Sequence, residues 1–371
     1  MVEHNRTRVC IVLPGYSTQP AGGHRVLYEY ANHMAARFPD EFEIEIHESH
    51  RLVLSPLRHP PVKEQLLLLH RAARAKYLLS RGRRWFPLDS RISETQWLGA
   101  PRIRVGHGDV LVATGCQTVP FVARLAERTG ASALYFIQGY ESWLADEAFV
   151  RSTWRAGLHN VVISPWLRAK GEELGVPTTL LPNAVDATRF PLGPRLRART
   201  PSVLALISPV PLKRSDLVLE AFRRIHAREP GIALRTFGTI PKPQGWPDYI
   251  EHTQSPRHEA LVALYQSTQV YMATSDSEGW GLPPAEALLC GSAIVSTDNG
   301  GVRAYAEGVA RFSPVGDALG LTDNAILTCH ELDDAQRRVD EGRARVQAHT
   351  PERAGEQFAE LCRNAAQEER S

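Results

Sequence analysis

The chain has 371 residues, too long for one ordinary domain at roughly 150 residues each, so two or three are expected. Its 43% hydrophobic and 23% charged content excludes wholesale disorder. The 43 basic and 41 acidic residues leave a formal charge of +2, which speaks against a dedicated nucleic-acid binder.

Glu3, Arg6 and Arg8 precede the short apolar stretch Val9–Leu13, which reads as a first strand and not as a secretory signal. Gly22 and Gly23 open a helix carrying Val26, Leu27, Tyr30 and Met34 at helical spacing. Phe42–His47 alternates like a half-buried strand. Residues 50–108 depart from this rhythm and hold one expected helix, Val62–Leu79. Arg71, Arg74, Lys76, Arg81, Arg83 and Arg84 crowd its second half, after Leu66–Leu69. That stretch is either a peripheral contact with a membrane or anionic acceptor, or simply a solvated face in an arginine-rich chain.

Strands are then expected at Val110–Thr114, Ala133–Ile137, Val161–Ser164 and Thr179–Leu181, with helices at Val119–Arg128, Glu147–Ala156 and Trp166–Leu174 between them. Pro191–Pro201 breaks the pattern with three prolines and three arginines, and the domain boundary is placed there. The alternation restarts with strand Val203–Ser208, helix Ser215–Arg228, strand Ile232–Phe237, helix His258–Gln266, strand Val270–Thr274, helix Pro284–Leu289 and strand Ala293–Ser296. The organisation expected is an N-terminal domain over 1–195 and a C-terminal domain over 196–350. A charged helix over 351–371 would pack back on the first domain. Alternating strands and helices imply doubly wound parallel sheets in an α/β fold, with ligands at the carboxyl ends of the strands, in a cleft between the domains.

No apolar run approaches the roughly 18 residues of a spanning helix. The cysteines Cys10, Cys116, Cys290, Cys329 and Cys362 are odd in number, scattered, and lack metal-ligand spacing, as do His24, His107 and His258. The expectation is a reduced cytoplasmic protein without disulfides, structural zinc or another cofactor.

Thr274–Gly291 is the most informative segment. A strand ends near Thr274, a loop carries Glu278, Gly279, Trp280 and Gly281, and Pro283 and Pro284 suit the first turn of a helix capped by Gly291. Glycines let amides turn toward a ligand, and a helix start adds unpaired N–H groups, so the segment suits a phosphate or diphosphate without a metal. Glu278 in the loop and Glu286 in the helix's first turn are placed to accept from pairs of sugar or ribose hydroxyls.

This segment resembles the signature of the retaining glycosyltransferases of family 4. Their hallmark is two glutamates separated by seven residues within E-G-[FW]-G-L-P-x-x-E-A-x-x-x-G, matched from Glu278 to Gly291 at every fixed position. Gly22-Gly23 with Arg25-Val26 resembles the family's first glycine turn, which faces the donor phosphates. Leu181 to Asp186 with Phe190 resembles its P-N-G-V-D…F stretch, Ala184 replacing a glycine. Asp298-Gly300-Gly301 resembles its S-D-x-G-G turn. Lys213 falls where the family keeps a lysine against the donor diphosphate. Ser208 stands where it usually has an arginine, Arg214 beside Lys213 is a candidate substitute, and Gln138 follows a strand where many members carry a histidine. Asp276-Ser277-Glu278 has a faint D-x-D look, but the glutamate motif explains it better, and no divalent metal is expected.

The resemblance implies the two-domain GT-B fold and metal-independent, retaining transfer of a hexose-type sugar from a UDP-, GDP- or dTDP-sugar. Glu278, Lys213, Gln138 and Glu141 would be catalytic, with Trp143 near the sugars. The donor would meet Gly22, Gly23, Ser208, Lys213, Arg214, Glu278, Gly279, Trp280, Gly281, Leu282 and Glu286. A glycan, lipid or natural-product acceptor, a cytoplasmic or inner-membrane-face location and no nucleic-acid partner complete the expectation. A nucleotide-sugar epimerase and a GT-B binding protein that has lost catalysis are the alternatives.

Overall fold

The computed structural model describes residues 6–16, 20–50, 52, 62–80, 85–97 and 99–368. The chain divides into two compact units, 1–183 with 351–371, and 184–350. In the first, β1 (Thr7–Leu13), α1 (Gly22–Arg37), β2 (Phe42–Ser49), α2 (Val62–Ser80), β3 (Ser93–Trp97), β4 (Val110–Ala113), α3 (Val119–Thr129), β5 (Ser132–Ile137), α4 (Glu147–Trp154), β6 (His159–Val162), α5 (Pro165–Leu174) and β7 (Thr178–Leu180) follow in order. They build a seven-stranded sheet in the order β3-β2-β1-β4-β5-β6-β7, every pairing parallel. The central strands are apolar throughout because a parallel sheet is covered on both faces, and Val9, Ile11, Leu111, Phe136 and Val161 are fully buried.

The second unit runs β8 (Ser202–Leu206), α6 (Ser215–Arg228), β9 (Ala233–Gly238), β10 (Ile250–Gln254), α7 (His258–Ser267), β11 (Val270–Ala273), α8 (Leu282–Leu289), β12 (Ala293–Thr297), α9 (Arg303–Ala306), β13 (Arg311–Ser313), α10 (Ala318–His330) and α11 (Leu332–Gln347). Its six strands order as β10-β9-β8-β11-β12-β13, again all parallel. Val203, Leu217, Phe222, Leu234 and Leu321 centre its core.

The last helix, α12 (Pro351–Glu368), belongs to the first unit. Phe358 stacks on Tyr30 at 5.1 Å and meets Phe136 edge-on at 5.9 Å. Burying such a ring contributes roughly 2 kcal/mol. Arg363 pairs with Glu41 at 2.6 Å, and Ser132 Oγ donates to the Ala365 carbonyl.

The expected doubly wound α/β class is what the chain adopts, with three corrections of detail. β3, β10 and β13 are strands that periodicity passed over; they are short and polar, and all three are sheet edges, where one side needs no apolar partner. Pro191–Pro201 lies inside the second unit and is bound to it. The Gly193 amide donates to the Cys290 carbonyl, Gln266 to the Pro191 carbonyl, and the buried Arg199 guanidinium to carbonyls of Pro194, Tyr265, Thr268 and Cys290. Burial with no carboxylate beside it lowers Arg199 to about 10. The third concerns α8, which begins at Leu282, so Glu286 stands in its second turn and not its first.

The five cysteines are buried and unpaired. Among the described residues, no helix is long and apolar enough to cross a membrane. Of the basic cluster after Leu69, Arg81, Arg83 and Arg84 lie outside the described residues, as does Glu3 near the N-terminus.

Candidate active site

In the second unit the site is built at the carboxyl ends of β8, β11 and β12. After β8 a single 3-10 turn, Pro211–Lys213, is closed by Arg214 in left-handed conformation (φ 50°) before α6 starts. Ser208 and Ser215 lock this turn: Ser215 Oγ donates to the Ser208 carbonyl and accepts from its amide at 3.0 Å. The turn is also stitched to the loop after β11. Thr274 Oγ1 donates to the Lys213 carbonyl at 2.9 Å, and the Asp276 amide to the Leu212 carbonyl at 2.9 Å. These bonds hold the Lys213 ammonium 2.6 Å from Glu278 Oε1, which also accepts from Ser275 Oγ at 2.6 Å.

The loop carrying Glu278 is clamped from the other side by the segment after β12. The Glu278 amide donates to the Asn299 carbonyl at 3.0 Å, and Thr297 Oγ1 to the Ser275 carbonyl. Glu278 and Gly300 form a parallel bridge. Gly301 is required by this approach, since a Cβ there would meet the Glu278 carbonyl oxygen at 2.6 Å and the Trp280 amide at 2.7 Å. The Trp280 ring packs 4.5 Å from the Tyr305 ring, both buried, and Tyr305 donates to the Gly281 carbonyl at 2.7 Å. Gly281 itself needs its freedom, because it caps α8 at φ 89°.

Glu286, only 5% exposed, accepts from the Tyr265 hydroxyl at 3.2 Å. Burial, with the charges of Glu286 and of other carboxylates nearby, pushes Tyr265, Tyr271 and Tyr305 well above the usual phenol range, so Tyr265 and Tyr305 stay neutral donors. The helix start contributes less than expected. Pro283 and Pro284 occupy its second and third positions and carry no N–H, while the Ala285 amide is already directed at the Gly281 carbonyl. Leu282 supplies the first turn's remaining amide, so an anion here would rely on the Gly279–Leu282 loop and Lys213. Arg214 turns away from this pair, to Asp276 at 2.8 Å and to Asp216 at 2.9 Å.

The remaining expected residues sit in the first unit. Gly22 and Gly23 open α1, and Gln138, just past β5, donates to the Gly23 carbonyl at 3.2 Å. His24 Nε2 lies 3.0 Å from the Gly15 carbonyl, and burial depresses its basicity. Glu141 accepts from the Cys116 amide at 2.6 Å, and burial raises its carboxyl above the usual carboxylate range. Trp143, two residues on, is exposed. The structure therefore joins Lys213 to Glu278 and Gln138 to Gly23, and gives Ser208, Arg214, Glu141 and Glu286 other partners.

Sequence reasoning missed Ser275, Tyr265, Asn299 and Tyr305 as supports of the two glutamates. Ser275 stands inside the Thr274–Gly291 segment and Asn299 inside the Asp298-Gly300-Gly301 turn, while Tyr265 and Tyr305 lie outside both. It also missed a cluster on neighbouring strands, where Cys10, Glu45 and His47 place their polar atoms within 4.8 Å of one another. Trp97 Nε1 only donates, so His47 Nδ1 accepts from it and Nε2 carries the hydrogen given to Glu45 at 2.8 Å. Arg8 lies 3.1 Å from the other Glu45 oxygen and adds an ion pair to the cluster.

Two parallel α/β units with a glutamate-lined loop at the strand ends of the second are the architecture of the GT-B glycosyltransferases. The chain superposes on sucrose-phosphate synthase from Thermosynechococcus elongatus with a TM-score of 0.70, covering 97% of this chain and 99% of that one at 17% identity. It superposes on HepE from Anabaena, solved with UDP and glucose, with a TM-score of 0.67, covering 96% and 99% at 13% identity. These likenesses show the fold. Residues 199–308, which carry Lys213 and both glutamates, match the family model described as Glycosyl transferases group 1. The D-inositol 3-phosphate glycosyltransferase of Geodermatophilus obscurus is 29% identical over 160 residues, 36% of this chain and 36% of that protein. That of Nocardia farcinica is 26% identical over 147 residues, 33% of each. The matched stretch thus spans about a third of these curated relatives. The chain has the GT-B fold, and its second unit carries the group 1 glycosyltransferase sequence.

Proposed function

We propose that this protein transfers a sugar from a nucleotide-sugar donor to a hydroxyl-bearing acceptor, with retention of anomeric configuration. The observation that carries the reading is the pair of glutamates, one on a clamped loop and one on the helix that follows it, with Lys213 held against the first. Of a nucleotide-sugar donor, the ribose, the diphosphate and the sugar ring each meet a matching group among the loop, the helix after it and Lys213. Glu286, fixed by Tyr265, accepts from the ribose hydroxyls. The Gly279–Leu282 amides and Lys213 hold the diphosphate, whose negative charge grows as the glycosidic bond breaks, so the same donors stabilise the transition state more than the ground state. Glu278 orients the sugar ring through its hydroxyls.

Binding requires an exchange of partners. Lys213 leaves its 2.6 Å contact with Glu278 in part for phosphate oxygens, and Glu278 gains sugar hydroxyls in return. Both groups are only partly buried, which keeps the cost of that exchange low. The first unit presents the acceptor beside Gly23, Gln138 and Glu141. With no evident protein nucleophile, attack comes from the face the leaving group departs, and the departing phosphate takes the acceptor proton.

UDP and glucose in the HepE structure support a UDP-sugar as the first donor to try. The names of the curated relatives support a phosphorylated polyol as the first acceptor. The test is a thermal-shift panel of UDP, GDP, dTDP and their sugars, followed by transfer to a polyol phosphate and NMR of the anomeric proton. A ligand bound only by the folded state raises its melting point, so the preferred nucleotide stands out. A panel without any shift overturns the reading, and an inverted product overturns retention. Donor epimerised in the absence of acceptor would assign an epimerase instead.

A further inference from the structure

Among the described residues eleven large apolar side chains are exposed, and five of them lie on α2: Val62, Leu66, Leu67, Leu69 and Tyr77. Val62 is 71%, Leu66 61% and Leu69 53% exposed. Positions 62, 66, 69, 73 and 77 follow one helical face, and the remaining one, Ala73, is exposed as well. Ala72, about a quarter turn round from the stripe's centre, is the anchor at 2% exposure. Lys63, His70 and Arg74 are exposed in a second row beside this stripe. An ordinary surface helix turns its polar face outward; α2 turns an apolar stripe and a cationic row to water together. In the sequence Arg71, Lys76, Arg81, Arg83 and Arg84 add to the positive side, against the single acid Glu64.

We propose that α2 lies in the headgroup plane of an anionic lipid bilayer, with the 62-66-69-73-77 stripe at the acyl boundary and the cationic row on lipid phosphates. Charge decides between occupants. A second copy of this chain stacked stripe on stripe doubles the positive charge along the seam against one glutamate per helix, and like charges oppose that pairing. A lipid surface of negative potential satisfies both rows at once. No described helix, α2 included, qualifies as a membrane span, which fits a helix lying on the membrane rather than crossing it.

The test is co-sedimentation of the whole chain with vesicles of phosphatidylcholine alone, or with about a third phosphatidylglycerol, at low salt and at about 0.5 M salt. The chain is expected to sediment with the anionic vesicles and to be released by salt. Leu66→Gln with Leu69→Gln should lower partitioning about tenfold or more, since two exposed leucines lose their apolar burial. Lys63→Gln with Arg74→Gln should lower it several-fold, on anionic vesicles only. Leu319→Gln, which changes an equally exposed leucine on α10, should change nothing. All these side chains are exposed, so melting temperatures should match the wild type. No sedimentation, or binding indifferent to lipid charge or to the leucine pair, overturns the proposal. A dimer in ultracentrifugation that the leucine pair dissolves, with no vesicle binding, reassigns the stripe to a second copy.

Discussion

The strand ends of the two sheets are built alike in backbone and differently in chemistry. In the second unit the loop after β11 is clamped by main-chain bonds to Leu212 and Asn299, and it carries an ion pair, Lys213 with Glu278, and a buried carboxylate, Glu286. In the first unit the corresponding groups are the Gln138 amide on the Gly23 carbonyl, the His24 ring on the Gly15 carbonyl with its basicity lowered by burial, and Glu141 with its carboxyl pushed up by burial and no cation paired with it among the described residues. A rigid charged loop suits a ligand whose charge changes during reaction, because its donors are already oriented. An end lined by an amide, an imidazole and a carboxyl without a cationic partner suits hydroxyl groups. The same sheet architecture thus carries two kinds of chemistry in the residues at its strand ends.

Lys213→Ala strikes the charged side hardest. Turnover is expected to fall about a thousandfold, as when one transition-state donor is removed, with folding intact; steady-state kinetics with the selected donor checks it. Glu286→Ala should weaken nucleotide binding by roughly 2 kcal/mol, about thirtyfold, which calorimetry reads directly. Equal binding by the variant would break the contrast between the units.

Gly301→Ala tests the clamp rather than the charges. Its Cβ has no room against the backbone of Glu278 and Trp280, so the loop must shift. A stability loss of about 2 kcal/mol in denaturant melts is expected, with a fall in activity. The smallest effect belongs to the first unit and depends on pH. A carboxyl raised by burial contributes stability that is present below its ordinary value of 4.5 and lost as pH rises through its folded value. Glu141→Gln keeps an acceptor for the Cys116 amide and has no charge to desolvate. It should melt at or above the wild type at about pH 8, and the difference should close at about pH 4. A variant that melts lower at the higher pH would show that the charge is wanted there.

The part of the molecule legible in the sequence is the part written in neighbouring residues. The apolar runs of β1, β4, β5, β8 and β11 declare a parallel sheet because both faces must be covered, and the stretch from Glu278 to Gly291 declares its loop, its helix and both glutamates. The positions of Lys213 and Gln138 followed from resemblance. What periodicity left out were β3, β10 and β13, whose polar residues tolerate short edge positions, and the helices α9, α10 and α11. The partners were left out as well. Tyr265 reaches Glu286, Asn299 reaches Glu278 and Glu45 reaches Cys10 across gaps in sequence that local pattern does not span.

By itself, then, the sequence determined the fold class and the motif that carries the glutamates, since both rest on local spacing and on the need to bury apolar strands. Only the tertiary structure decided how the glutamates are held, that Arg214 faces Asp276 and Asp216, and that the leucines of α2 face water. Each of these follows from strand register and helix phase, which bring distant residues together or turn them outward.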